Sequence, residues 1–207
     1  MSDQGEGTGQ EENWFLLMDP AWVPSEDDDV PPMESVVGVW PLAADGAVGR
    51  FLPNPDYRPL NPDSPTDPLD AVLRRMVEGT AEPEHLQPLL RDTEFDLAMN
   101  GDGRPLIVLA PDDVLCAVIA TAERHRERVV APMWRRVGLP DLLELLEDRF
   151  DLLINPDGPA AVRLVASLVR AAGAMTDDEA AALYRTLGTG DTGLEVVRWI
   201  LPADTPS

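Results

Sequence analysis

Residues 95–121 read FDLAMNGDGRPLIVLAPDDVLCAVIAT. Three apolar runs, 95–99, 105–110 and 114–121, are separated by two turn clusters, Asn100-Gly101-Asp102-Gly103 and Pro111-Asp112-Asp113. Gly, Pro, Asn and Asp reverse a chain by supplying positive φ, fixed φ or side-chain bonds to nearby backbone. The runs are strand-length and rich in Val, Ile and Leu, so 105–110 and 114–121 are expected to pair as a hairpin. Hairpins of this kind argue against a doubly wound parallel sheet. The fold class expected is α+β, with a mixed or antiparallel sheet and helices packed on one face.

Upstream, Thr66-Asp67-Pro68 puts a capping oxygen before a proline at the first helical position, where its missing N–H costs nothing. Leu69, Val72, Leu73, Met76 and Val77 follow at helical spacing, and Gly79 ends the pattern. A shorter helix is expected over 83–91, weakened by Pro88. The six prolines of 53–68 bar a central strand and predict an ordered wrap or a linker. Val36–Leu42 and 47–52 flank Asp45-Gly46, a hairpin signal. The apolar run 14–18 reads as a buried strand ended by Asp19-Pro20, ahead of an acidic Pro-rich loop over 24–32.

Downstream, 140–147 predicts a helix and 150–154 a strand closed by Asn155-Pro156-Asp157-Gly158. A helix is expected over 159–172, with Val162, Val165, Leu168 and Val169 inward and Arg163 and Arg170 outward. Thr176-x-x-Glu179 is a capping box for a helix ending at Gly188. The last apolar stretch, 194–201, fits helix or strand; Thr192-x-x-Glu195 tilts it toward a short helix. The resulting division is a disordered acidic tail over 1–12, a strand, hairpin and Pro-rich segment over 13–65, an α+β domain over 66–175, and a C-terminal helix and tail over 176–207.

The formal charge is −22, from 38 acids against 16 basic residues, all of them Arg. Residues 1–49 hold eleven acids (Asp3, Glu6, Glu11, Glu12, Asp19, Glu26, Asp27, Asp28, Asp29, Glu34, Asp45) and no Lys or Arg, so −11 of the −22 lies there. Phosphate backbones and anionic lipids need Lys or Arg to displace counterions, so nucleic acid and membrane are poor partners. A basic protein partner is electrostatically allowed, and the plainer reading is a solvated acidic tail that keeps the protein soluble. Residues 1–12 are acidic and Gly-rich, without the basic start and short apolar run of an export signal. Apolar stretches are broken by charge, so no bilayer span is expected and a cytoplasmic location is.

Few groups could carry chemistry. Cys116 is the lone cysteine, inside an apolar run, and a buried thiol is expected. The two histidines, His85 and His125, lie at ligand spacing from no other candidate, so no metal site is read; Asp27-Asp28-Asp29 lacks the alternation of a calcium loop. His125 sits in the Arg-rich run 123–128 and is expected at the surface. A nucleophile elbow is absent, and Ser167 falls inside an amphipathic helix. Gly188-x-Gly190-x-x-Gly193 follows a helix instead of a strand, which makes it a helix stop and loop and no dinucleotide site. No catalytic residue and no cofactor is assigned.

Two kinds of residue remain as candidate partner contacts. Arg124, Arg126, Arg128, Arg135 and Arg136 are the one basic concentration, set either to meet an anion or partner or to pair with the chain's own acids; the acid surplus favours pairing. Among the five tryptophans, Trp22 stands among prolines and is the best exposed anchor, while most of the others read as core.

Residues 83–158, with Trp134-Arg135-x-Val137-x-Leu139-x-x-Leu142 leading to Leu153-Ile154-Asn155-Pro156-Asp157-Gly158, are similar to the SseB-type N-terminal domain. Asp157 is an insertion into that turn, and Ala120-Thr121-Ala122 departs from the usual aromatic strand end. Across roughly 13–172, the stretches Gly49-Arg50-Phe51-Leu52-Pro53-Asn54-Pro55-Asp56-Tyr57 and Ser64-Pro65-Thr66-Asp67-Pro68 resemble actinobacterial type VII secretion system-associated proteins. The resemblance implies an α+β domain and a cytoplasmic accessory of a secretion locus. Together with the missing catalytic site and the acidity, it leads to the expectation of a non-enzymatic protein that binds a partner, a secretion component or a secreted substrate. Two alternatives stay open: an immunity-type protein whose acidic surface neutralises a basic toxin, and an enzyme using clustered carboxylates in a cleft.

Overall fold

The computed structural model describes residues 13–23, 30–43, 47–146, 149–187 and 196–200. The acidic tail over 1–12, most of the 24–32 loop, the Asp45-Gly46 turn and the glycine motif at 188–193 lie outside the described residues.

In chain order the elements begin with β1 (Asn13–Met18), a 3-10 turn at Met33–Ser35, β2 (Val36–Leu42) and β3 (Leu52–Pro53). The helices α1 (Pro68–Val77) and α2 (Pro83–Asp92) lead to β4 (Phe95–Met99), β5 (Ile107–Leu109) and β6 (Leu115–Ala120). Then come α3 (Glu123–Arg126), β7 (Met133–Val137), α4 (Leu139–Leu146), β8 (Asp151–Ile154) and β9 (Val162–Leu164). The chain closes with α5 (Ala166–Ala174), α6 (Asp177–Leu187) and β10 (Val196–Ile200).

Two sheets result. One runs β10-β1-β2-β3, antiparallel throughout. The other runs β7-β4-β6-β8-β9, with β5 also paired to β6, and its single parallel pair is β6 with β8. This is the α+β class with mixed and antiparallel sheets. One face of each sheet and the buried sides of all the longer helices share a single core, which includes Leu17, Val37, Trp40, Leu73, Leu89, Leu97, Ile119, Leu142, Ile154 and Tyr184. The core therefore crosses the segment boundaries at 65/66 and 175/176, and β10 returns to β1.

The local signals at α1 are realised atom by atom. The Asp67 carboxylate accepts from the Asp70 N–H, Pro68 opens the helix, and Gly79 follows it at φ 74°. The Pro-rich stretch is an ordered wrap tied to a buried carboxylate. Asp19 accepts from the Ser64 hydroxyl and the Leu60 and Ala21 N–H groups, and the Tyr57 hydroxyl lies 2.9 Å away. Gly38 is required because an added Cβ would stand 2.1 Å from Phe51 Cζ. Phe51 in turn meets the Trp40 ring edge-on at 4.7 Å.

Two expectations are corrected. The stretch 159–172 is not one helix: Val162-Arg163-Leu164 pairs antiparallel with β8, and only then does α5 begin. Arg163 is bonded to Asp151 and lies 2.7 Å from Asp112, so it belongs to a strand and not to a helix's outer side. The second carboxylate oxygen of Asp151 accepts from the Ala166 N–H, which caps α5 from 15 residues away. At the C-terminus, 196–200 is the strand β10 and not a short helix, since the edge of β1 offers its backbone a ladder. Two Val, Trp and Ile are also strand-favouring residues.

Candidate functional site

Two features stand out, a closed polar junction and an open apolar groove. The junction sits where β6 and β8, parallel neighbours, both end. His125, expected at the surface, is instead buried at 1% exposure and points inward from the single turn α3. Its Nε2 is 2.9 Å from Thr66 Oγ1 and 3.7 Å from Asp70 Oδ1. Thr66 Oγ1 donates to Asp67 Oδ2 at 2.7 Å, so it accepts from His125 Nε2–H. The same Asp67 oxygen accepts from Thr121 Oγ1, which accepts from Asn155 Nδ2 at 3.0 Å. Each hydroxyl donates once and accepts once.

Charge at the junction is divided unequally. Asp67 is pushed above the usual carboxylate range by burial and by the neighbouring Asp70 charge. Burial also acts to raise Asp70, but bonds from His125, the Thr66 N–H and Arg74 outweigh it and leave Asp70 below that range. A hydroxyl, an imidazole and a carboxylate are close together here, yet the relay geometry of a triad is not. Both Thr66 and Asp70 crowd Nε2, while Nδ1 is buried without a hydrogen-bond partner. The junction ties the Pro-rich wrap, α1, α3 and the ends of β6 and β8 into one unit.

The Arg cluster is dispersed. Arg126 pairs with Asp96 and Glu123, and Arg136 with Asp96 and Glu94. Arg124 donates to the Pro62 carbonyl and Arg128 to the Asp157 carbonyl, each pinning a loop. Arg135 is exposed on β7. Cys116 is buried, and burial pushes its thiol up. Among the described residues no group of three or more His, Cys, Asp or Glu could hold a metal ion, and no helix is long and apolar enough to cross a membrane.

The groove lies on the face of the four-stranded sheet turned away from the shared core. Alternation along β1 sends Leu17 into the core and Trp14, Leu16 and Met18 to the opposite face. A register shift between Leu17 and Met18 places Val36 opposite Met18, so Val36 and Val39 share that face although they are three apart. Val30, Pro31 and Met33 form the facing wall, and the groove encloses about 390 Å³. Among the described residues its lining is apolar: Trp14, Leu16, Val30, Pro31, Met33, Val36 and Val39. Val30 and Met33 stand 52% and 59% exposed.

Trp22, the tryptophan singled out in the sequence, packs half-buried on the same satellite cluster of Leu16, Met18 and Val36. A turn holds it there, in which Asp19 accepts from the Ala21 N–H through its side chain and from the Trp22 N–H through its carbonyl. The continuous apolar run at 14–18 signalled a buried strand, and Leu16, Leu17 and Met18 are buried while Trp14, half-buried, borders the groove. Compared with known proteins, the chain matches no family model, and no curated protein or solved structure matches it significantly.

Proposed function

We propose that this chain is a cytoplasmic, non-enzymatic accessory that holds a protein partner, in the service of type VII secretion. The observation that carries the partner-binding part is the open apolar groove, with Trp22 at its cluster. Single exposed apolar side chains are ordinary, but a contiguous apolar groove walled by two segments marks an interaction surface. The closed His125–Asp67–Asp70 junction supports the non-enzymatic part, because its imidazole faces protein on every side. The secretion assignment rests on the resemblance at 49–57 and 64–68, whose residues build the Phe51 contact and the α1 cap.

Affinity purification of the tagged full chain from its native host tests this reading. Recovery of a secretion component or a secreted substrate is the expected result; recovery of neither removes the assignment. The acidic first 49 residues also favour a second reading, an immunity-type protein. Relief of toxicity on co-expression with a basic toxin encoded beside it is that reading's test, and failure of relief ends it.

A further inference from the structure

The chain holds five asparagines, Asn13, Asn54, Asn61, Asn100 and Asn155. Asparagine amides are among the thermally labile groups of a protein. Their loss begins when the next residue's backbone nitrogen attacks the side-chain carbonyl carbon, which takes an N–H and room to approach. Asn54, Asn61 and Asn155 precede prolines, which have no N–H to give up. Asn13 precedes Trp14 inside β1, where strands on both sides hold the backbone. Asn100 precedes Gly101. We infer that Asn100 is a site of spontaneous covalent modification, deamidated in the folded protein through a cyclic imide closed by the Gly101 nitrogen.

The turn after β4 arranges both reacting groups. The Gly103 N–H donates to the Asn100 carbonyl at 3.3 Å, and the Asn100 N–H to the Arg104 carbonyl at 2.8 Å. Asn100 Oδ1 accepts from the Asp102 and Arg104 N–H groups at 3.1 and 3.0 Å. These donors polarise the amide carbonyl and face the oxygen on which negative charge develops as nitrogen attacks. The Gly101 N–H has no hydrogen-bond partner among the described residues. Gly101 is exposed, and nothing lies within 4 Å of where its Cβ would stand. The same cyclisation is open in principle to an aspartate before glycine, but there the nitrogens are committed. The Gly103 N–H is held by Asn100, and the Gly158 N–H donates to the Asn155 carbonyl at 2.9 Å.

Hydroxide takes the Gly101 N–H proton, and the nitrogen forms a bond to Asn100 Cγ. The Cγ–Nδ2 bond then breaks, and the amide leaves as ammonia with a proton drawn from water. Water opens the five-membered imide at either carbonyl, leaving aspartate or isoaspartate at position 100 and one added negative charge. The aspartate product keeps the turn, because a carboxylate accepts the Asp102 and Arg104 N–H groups through charge-assisted bonds. Isoaspartate lengthens the main chain by one carbon, in a turn closed by the bond from the Leu106 N–H to the Ala98 carbonyl.

The test incubates the purified full chain in mildly alkaline buffer beside a synthetic peptide of residues 97–106. Both are followed by isoelectric focusing, peptide mapping and labelling with an isoaspartate methyltransferase. Expected is a species with one added negative charge that maps to Asn100 and takes the label, while Asn13, Asn54, Asn61 and Asn155 stay intact. Gly101→Pro removes the attacking N–H at a turn position that accepts proline, and is expected to stop the conversion with unchanged circular dichroism. Gly101→Ala, whose Cβ enters open space, is expected to slow it about fivefold or more by restricting the backbone rotation that brings nitrogen to carbonyl.

An Asn100 amide still intact in the folded chain once the peptide has converted overturns the inference. So does earlier conversion at another asparagine. A wild-type rate in Gly101→Pro assigns the loss to direct hydrolysis and also overturns it. If Gly101→Pro does not fold, a wild-type rate in Gly101→Ala does so in its place. None of these measurements involves a partner, so this site and the partner-binding reading fail separately.

Discussion

The two faces of the four-stranded sheet are both apolar, and the outer one borders an apolar groove. On the inner face Trp40, 2% exposed, meets Phe51 and Tyr184, and Gly38 makes room for the Phe51 ring. On the outer face Trp14, Leu16, Val36 and Val39 form one side of a groove whose other wall is two exposed side chains and a proline. An antiparallel sheet of a solitary domain commonly keeps its second face polar. The difference is one of edges: the outer face has a buried floor at Leu16, Met18 and Val36 but exposed walls at Val30 and Met33. The polar junction repeats the inner face's lesson in another chemistry: it is closed and almost fully paired, so its charges are committed to holding the fold.

The comparison breaks most readily on the inner face. Trp40→Ala removes a buried ring between Phe51 and Tyr184 and is expected to cost about 4 kcal/mol in denaturant unfolding. Gly38→Ala drives a Cβ into Phe51, and a loss of about 2 kcal/mol is expected by the same measurement; a stabilised variant would show that the ring is not seated on that strand.

The junction offers a pH test whose sign follows from the Asp70 shift. An acid held below its ordinary range in the folded state contributes stability that is present above the unfolded value and lost as pH falls through the folded one. Asp70→Asn should therefore cost roughly 2 kcal/mol near neutrality, and the gap from wild type should shrink on acidification below about pH 4. Asp67 runs oppositely: held above the ordinary range, its contribution is present at low pH and fades as pH rises through its folded value. A gap constant from neutral pH into strong acid would contradict the Asp70 assignment. The smallest stability effect belongs to the outer face, where Met33→Glu should change stability by less than about 0.5 kcal/mol.

What the sequence made legible is local. The α1 cap, the 107–120 hairpin and the Thr176–Glu179 box are each encoded within a few neighbouring residues, and each forms as read. What it concealed depends on distant partners. The α5 cap is Asp151, so Val165 at the helix start carries no capping side chain of its own. β10 is a strand because β1, far away in sequence, presents an edge. His125 stands between Arg124 and Arg126, and only the one-turn helix that faces those two outward sends the imidazole into Thr66 and Asp70. The Arg cluster and Trp22 were both visible as candidates. Of these, Trp22 packs on the Leu16–Met18–Val36 cluster, and four of the five arginines are engaged within the fold.

The proposal that the outer face is the binding face is tested most directly by the indole N–H resonances in a ¹H–¹⁵N spectrum titrated with the protein partner recovered from the native host. The account predicts that the Trp14 and Trp22 signals move together while Trp40, sealed in the core, stays in place. Movement of the resonances around Arg124–Arg136 with Trp14 and Trp22 unshifted would contradict it.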